Sequence, residues 1–387
     1  MARSWIPRTE VLERLGVKAQ TLYAYVSRGR IAARPDPDNP RRSLYAADDV
    51  ERLLDRSAKN GAAVTNGGGA SASRGETVVE SAITTIAEGR LFFRGHDAAE
   101  LAETGNLSDA ARMLWDAEED PFQDLKPRID VAFPGGPRAR AFAGLARRAE
   151  EDAATAGRSP KSLRREAASV LNEMVDAISG GGPRLYLHQR LARAWKLAEK
   201  DAQIIRRALV LAMDSEINAP TLAVRLTAST GAALSACALA GLSALSGPQL
   251  GGRIAQALAY VAESRRGSDA RTAARQRLAQ GLEIPGFGHP LFPDGDPRAK
   301  ALIAAAELPE DLMDIVRVGE GLTGQAANFD MALALIGRHL DLPKDGPFTI
   351  YAVGRTAGWL AHALEQVTIG SPIRARLRYV GVEPEIA

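Results

Sequence analysis

A single cysteine, Cys237, occurs in the whole 387-residue chain. One thiol excludes an internal disulfide and any multi-cysteine metal site, and it suits a reducing cytoplasm. Charge of one sign is also missing: 49 Lys and Arg stand against 47 Asp and Glu, a net +2. That balance creates no whole-molecule field toward nucleic acid or anionic lipid, so any such binding must come from a local patch. Long apolar runs are absent as well. The longest, around Ala232–Leu245, is rich in Ala, Ser and Gly, falls short of a membrane span and reads as a buried core helix. The N-terminus MARSWIPRTEVLERLG scatters charges where a secretory leader needs an apolar stretch, so a cytoplasmic location without a membrane partner is expected. There is no Walker loop, no metal-ligand spacing and no Ser/His/Asp arrangement, so no metal and no bound cofactor are expected. What remains, 45% apolar and 25% charged residues, is ordinary for a globular protein of one large core or two domains.

Residues 1–56 read as a compact unit. Thr9-Glu-Val-Leu-Glu-Arg-Leu-Gly16 is a short helix with a Gly stop, and a second helix runs from Lys18 to Gly29. Val11, Leu12, Leu15, Leu22 and Val26 keep helical spacing. A Pro/Asp/Arg loop (Arg34–Arg42), a short strand Ser43–Tyr45 and a third helix Ala47–Arg56 follow. Helix, tight turn, helix and basic hairpin is a winged helix-turn-helix layout, and Thr-Leu-Tyr-Ala-Tyr-Val-Ser-Arg-Gly-Arg-Ile resembles the DNA-binding domains of MerR and excisionase type. The resemblance implies duplex contact through Lys18, Gln20, Thr21 and Tyr23 on the second helix and Arg41 and Arg42 on the wing. The segment has 11 Lys and Arg against 8 Asp and Glu, an excess of 3, which leaves reuse as an oligomerisation or regulatory module equally open.

Residues 57–75, SAKNGAAVTNGGGASASRG, have the composition of a flexible linker. From 76 to 387 the chain reads as mainly helical, with 3.6-residue periodicity over Ala98–Leu107, Leu163–Ile178, Ala202–Met213, Ala232–Ser246 and Met331–Leu340. Few period-2 runs are visible.

Toward the C-terminus stand Gly286-Phe-Gly-His289, Asp296-Pro-Arg298, Asn328-Phe-Asp330 and Arg355-Thr-Ala-Gly-Trp359. One His, one Asp and several arginines suit a site that holds a polycarboxylate and moves protons beside it, since Arg clamps carboxylate bidentately and a weak carbon acid needs a placed base. Each residue also has a plain alternative. Asp330 can simply cap the helix opening at Met331, and a lone Arg is usually solvated. Among the other histidines, His188 reads as a helix-surface residue, His339 as solvated and His362 as structural.

Together with Asp214-Ser-Glu-Ile-Asn218, Gly247-Pro-Gln-Leu-Gly-Gly252 and Arg374-Ala-Arg376, these segments in this order resemble the citrate synthase family over residues 76–387. The resemblance implies a two-domain helical body with a cleft, assembled as a homodimer or as a heteromer with a paralogue. It also implies an acyltransferase reaction joining acetyl-CoA to oxaloacetate to release citrate and CoA, with acetyl-CoA as substrate rather than cofactor. Carried over residue by residue, Asp330 falls on the general base and His289 on the histidine that polarises the ketone. Arg298 and Arg355 fall on carboxylate clamps, and Arg374 on the arginine that reaches a neighbouring subunit's site.

Two departures from the family pattern bear on the chemistry, and a further one is Pro290 after His289, where Arg is frequent in the family. Leu250 occupies the place of the enol-stabilising histidine, and Ser215 the place of a histidine that contacts oxaloacetate, with Ala212 three residues before it. Leucine donates no hydrogen bond, and loss of one such donor typically costs a factor of about 10²–10³ in rate. The expectation is therefore a family member impaired on its own, acting as partner or regulatory subunit of an intact homologue. The alternatives are an active citrate or methylcitrate synthase using Asp330 and His289, and a metabolite-sensing DNA-binding protein.

Overall fold

The computed structural model of the chain describes residues 4–15, 22, 26, 31–36, 43–51, 79–126, 132–181, 185–265, 269–374 and 380–382. The chain divides into two compact units, Met1–Ser71 and Ala72–Ala387. The linker 57–75 lies outside the described residues, as do Lys18, Gln20, Thr21, Tyr23, Arg41 and Arg42.

In the first unit, β1 (Trp5–Pro7), β3 (Ser43–Ala46) and β2 (Ala33–Pro35) form an antiparallel sheet in the order β1-β3-β2. The helix α1 (Arg8–Leu15) packs on it, and Val11, Leu22, Ile31, Tyr45 and Val50 make a small core with Ile6. The sequence reading contains neither β1 nor β2, because each carries a proline (Pro7, Pro35). Both are edge strands, where a missing backbone donor is tolerated, while the central β3 is proline-free.

The second unit opens with a meander of β4 (Thr84–Ala87), β5 (Arg90–Phe93) and β6 (His96–Asp97), paired in that order. Helices follow: α2 (Ala98–Thr104), α3 (Leu107–Leu114), α4 (Pro137–Glu151), α5 (Pro160–Ser179), α6 (Leu187–Ala194), α7 (Glu199–Leu211), α8 (Ala219–Ala228), α9 (Leu234–Leu245), α10 (Gly251–Arg265), α11 (Ala270–Ala279), α12 (Pro297–Ala305), α13 (Glu310–Thr323), α14 (Phe329–His339) and α15 (Gly346–Ile369). The expected helix Ala98–Leu107 stops early. Gly105 breaks it, and Asn106 caps a new helix by accepting from the Ser108 and Asp109 amides. Among the described residues no helix is long and apolar enough to cross a membrane.

Two apolar cores share this unit. The larger gathers α2 to α9, α12 and α15 around the fully buried Trp359. The smaller joins α10, α11 and α13 through Ala257, Tyr260, Ala274, Leu312 and Ile315. Helix α14 serves both: Phe329, Ala332, Leu333 and Ile336 face the larger core, while Met331, Ala334 and Leu335 face the smaller. A helix buried on both sides has to be apolar all round, which its sequence FDMALALIG satisfies except at Asp330.

Candidate active site

The exception is set by a local hydrogen-bond pattern. Asn328, at the N-cap of α14, accepts from the amides of Asp330 (3.0 Å) and Met331 (3.3 Å). Capping thus falls to Asn328, and Asp330 is released from it. The other end of the Asn328 side chain donates to the Gly288 carbonyl at 2.9 Å. The Gly288 amide donates to Ala326 and the Asn328 amide to Gly286, so the segment 286–289 is laced to 326–328. Gly286 and Gly288 take φ of +89° and +75°, and a Cβ on Gly286 would lie 2.9 Å from Met331. Only glycine allows that approach of the 286–289 segment to the start of α14.

A cavity of about 230 Å³ opens between these elements. His289, Arg298 and Asp330 line it, and so do Ser215 and Leu250. Arg253, Glu216, Asn218, Asn328 and Tyr351 complete its polar wall.

The electrostatics of each group follow from its neighbours. Burial raises the Asp330 carboxyl to about 6, with Arg298 and Arg253 pulling back against it. A carboxylate in that range exchanges protons near neutral pH, as a general base should. His289 is held below the ordinary imidazole value, by burial first and then by Arg298 and Arg253. Its Nδ1 accepts the Leu291 amide at 3.2 Å, which leaves the ring proton on Nε2 as a donor. Arg298 is buried and forked onto Asp296, Nε to Oδ1 at 3.0 Å and Nη2 to Oδ2 at 2.8 Å. Burial works against its charge, but Asp296 overrides that and holds it above the usual guanidinium range. Asp296 also accepts the Phe329 amide at 3.2 Å, so one carboxylate ties the start of α12 to the start of α14.

Two expected site residues stand elsewhere. Arg355, read as a carboxylate clamp, does not line the cavity. Its Nη1 donates to Asp214 at 2.7 Å and its Nη2 to Thr221 at 2.7 Å, and the side chain is only 1% exposed. The reason is close packing of α15 on the end of α7. A Cβ on Gly354 would meet Ala212 at 2.6 Å, and one on Gly358 would sit 3.1 Å from Asp214, so the helix comes near enough for the intervening Arg355 to reach Asp214. The opposite Asp214 oxygen accepts from Thr84 and from His362 Nε2, and His362 Nδ1 accepts from Arg225, which also pairs with Glu365 at 2.6 Å. Burial pushes the Asp214 carboxyl up, but His362 and Arg355 together hold it below the ordinary carboxylate range. Arg374 is exposed and is not among the cavity residues.

His188 also differs from its sequence reading. It is buried, stacked on Tyr186 at 5.7 Å, and burial followed by Arg206 lowers its imidazole to about 4. Residues that sequence reasoning missed are Arg253 and Tyr351. The first stands three positions after Leu250 on α10, and the second four before Arg355 on α15, so helical spacing from the motifs was the available signal. Among the described residues no cluster of three or more His, Cys, Asp or Glu forms a metal set. Chemically, the cavity can hold an anion, accept a proton and donate one hydrogen bond from an imidazole; Leu250 contributes only apolar surface.

The family described as citrate synthase, C-terminal domain, matches residues 142–376. The chain is 33% identical over 187 residues to the putative citrate synthase 2 of Mycobacterium tuberculosis (strain ATCC 25618 / H37Rv), covering 45% of this chain and 50% of that protein. It is 30% identical over 198 residues to citrate synthase 2 of Bacillus subtilis (strain 168), with 48% and 52% covered. The chain spans about half the length of the curated relatives it matches. Its fold is similar to the citrate synthase of Thermotoga maritima MSB8, with a TM-score of 0.65 at 22% identity over 81% of this chain and 95% of that one. It is also similar to the citrate synthase of Thermoplasma acidophilum solved with carboxymethyl coenzyme A and oxaloacetate, with a TM-score of 0.67 at 20% identity over 80% of this chain and 96% of that one. The family match alone extends over more than half of the residues, and the chain belongs to the citrate synthase family.

Proposed function

We propose that the cavity is a citrate synthase-type condensation site whose activity in a lone chain is impaired, and that the protein serves as partner or regulatory subunit of an intact homologue. In this reading Asp330 takes a proton from the methyl group of an acyl thioester. His289 Nε2 donates to the ketone oxygen of a 2-oxo dicarboxylate, and Arg298 faces its carboxylate. The methyl carbon then bonds to the ketone carbon, and water cleaves the thioester to release free thiol. Arg374 would serve a neighbouring subunit.

The observation that carries the reading is that Leu250 and Ser215 face the same cavity as Asp330 and His289. The base is present, while the wall where negative charge develops on the thioester oxygen carries a hydrocarbon side chain. A second reading, an active citrate or methylcitrate synthase, draws support from the Asp330 carboxyl poised at about 6.

Thiol release from acetyl-CoA or propionyl-CoA with oxaloacetate separates them, with Asp330→Ala as the control. The proposal expects the chain alone to match the control and to alter turnover when mixed with an intact homologue. Turnover by the chain alone that Asp330→Ala abolishes would establish the second reading and sink the first.

A further inference from the structure

The cations that the motifs single out, Arg298 and Arg355, already have internal partners. Arg298 spends Nε and Nη2 on Asp296, and Arg355 spends both terminal nitrogens on Asp214 and Thr221. Arg253 differs from both. It is exposed, lines the cavity, and has no hydrogen-bond or ion-pair partner among the described residues.

Its direction is fixed by the turn that starts α10. The Gly247 carbonyl accepts the amides of Leu250 (3.2 Å) and Gly252 (3.1 Å), and the Leu250 carbonyl accepts the Arg253 amide at 2.9 Å. In such an i, i+3 turn the two side chains lie one over the other. Gly251 points the other way: a Cβ there would lie 2.5 Å from the Phe348 ring, so the turn cannot rotate. Arg253 therefore stands directly over Leu250, against the same wall.

From this geometry we infer that Arg253 is a further anion-binding residue of the cavity besides Arg298, taking a second carboxylate of a di- or tricarboxylate ligand near Leu250 with a permanent charge where an imidazole would have offered a titratable one. The inference rests on the condensation-site reading only for the class of ligand. A guanidinium offers two parallel N–H groups to a carboxylate and keeps its charge at every working pH. It can hold an oxyanion but passes no proton to it. The charged and titratable groups that face it across the cavity are Asp330, His289, Arg298, Glu216 and Tyr351. Its field also reaches Asp330 and His289, lowering both. The pH response of ligand binding is then carried by Asp330 and His289, with Arg253 contributing a constant.

The test is calorimetric titration of the full chain with citrate and with succinate. Arg253→Ala is expected to weaken citrate binding by about tenfold or more, and Arg253→Lys to restore part of it. The remote, exposed Arg317→Ala should change it less than about twofold. Removal of Arg253 should also raise the apparent pKa of Asp330, read from the pH dependence of citrate binding or from carboxyl carbon resonances, which a structural role would not move. Citrate binding that survives Arg253→Ala unchanged would overturn the inference and leave the condensation-site reading standing. A chain that binds neither acid would overturn both. Binding lost in Arg253→Ala, in a chain that releases no thiol, would support the inference independently of turnover.

Discussion

The second unit holds two constellations made of the same residue types. Asp214, His362 and Arg355 form one; Asp330, His289 and Arg298 with Arg253 form the other. In the first, the three side chains bond to one another and to buried neighbours, and each is essentially buried: Asp214 is 0% exposed, Arg355 1% and His362 1%. In the second, a cavity adjoins the side chains, and of the four only Arg298 is in an ion pair among the described residues, through Nε and Nη2 to Asp296. The ionisation of the two aspartates diverges accordingly. Asp214 lies below the ordinary carboxylate range because two cationic or donating neighbours outweigh its burial, and Asp330 is raised to about 6 because its cations do not. An Asp/His/Arg set is thus a structural tie when its hydrogen bonds close on themselves and a candidate site when they are left open.

The largest effect should come from breaking the closed set. Asp214→Ala leaves Arg355 buried without its opposite charge, and Arg355→Ala does the same to Asp214, so each is expected to lower folding stability by about 3–5 kcal/mol in urea denaturation. Asp330→Ala should cost little or nothing. Equal losses at the two sites would erase the distinction.

Next in size, restoring donors to the open set should sharpen it. Leu250→His combined with Ser215→His is expected to raise thiol release from acetyl-CoA with oxaloacetate by about 10² or more, the worth of a recovered oxyanion donor. No gain, with citrate still bound, would mean that the cavity lacks more than those two side chains.

A pH series separates the aspartates by sign. The folded value of Asp330 lies above its unfolded value of about 3.9, so its contribution to stability is present in acid and is lost as pH rises through about 6. Asp330→Asn should then be more stable than the natural chain at pH 7.5 by about 1–2 kcal/mol, allowing for solvent screening, and no different below about pH 4. Asp214 runs oppositely: its contribution is present above its unfolded value and is lost as pH falls toward the depressed folded value. Thermal midpoints from pH 3 to 8 check both, and parallel curves would contradict the assignment.

The smallest expected change is at the hinge of the open set. Asn328→Ala removes the cap of α14 and the tie to Gly288, for a loss of about 1 kcal/mol. It should also lower citrate affinity, because the loop that carries His289 loses its anchor. Asn328→Asp, which retains the cap acceptor, should recover stability while giving up the donor to Gly288.

Much of this was legible along the chain. Apolar periodicity located α5, α7, α9 and α14, because helices that bury a stripe must repeat it. The segments 286–289, 296–298 and 328–330 were read together as one polycarboxylate site, and His289, Arg298 and Asp330 do line one cavity. Some residues could not be placed that way. β1 and β2 carry prolines that read as loop, since nothing local says whether a strand is an edge. His188 read as a helix-surface residue because its burial depends on the packing around α6, and local spacing does not report that.

Residue order by itself determined where most of the long helices run, which side chains are able to carry acid–base chemistry, and that positions 215 and 250 lack an imidazole. Tertiary structure alone decided how the charges are shared out. A charged side chain is drawn to whichever opposite charge the packing places within reach, and in water-poor surroundings that pairing governs both its proton affinity and its freedom to meet a ligand. Gly354 and Gly358 let α15 deliver Arg355 to Asp214, and Asp296 took Arg298. Arg253, an arginine that no motif marks, lines the cavity with no such partner among the described residues.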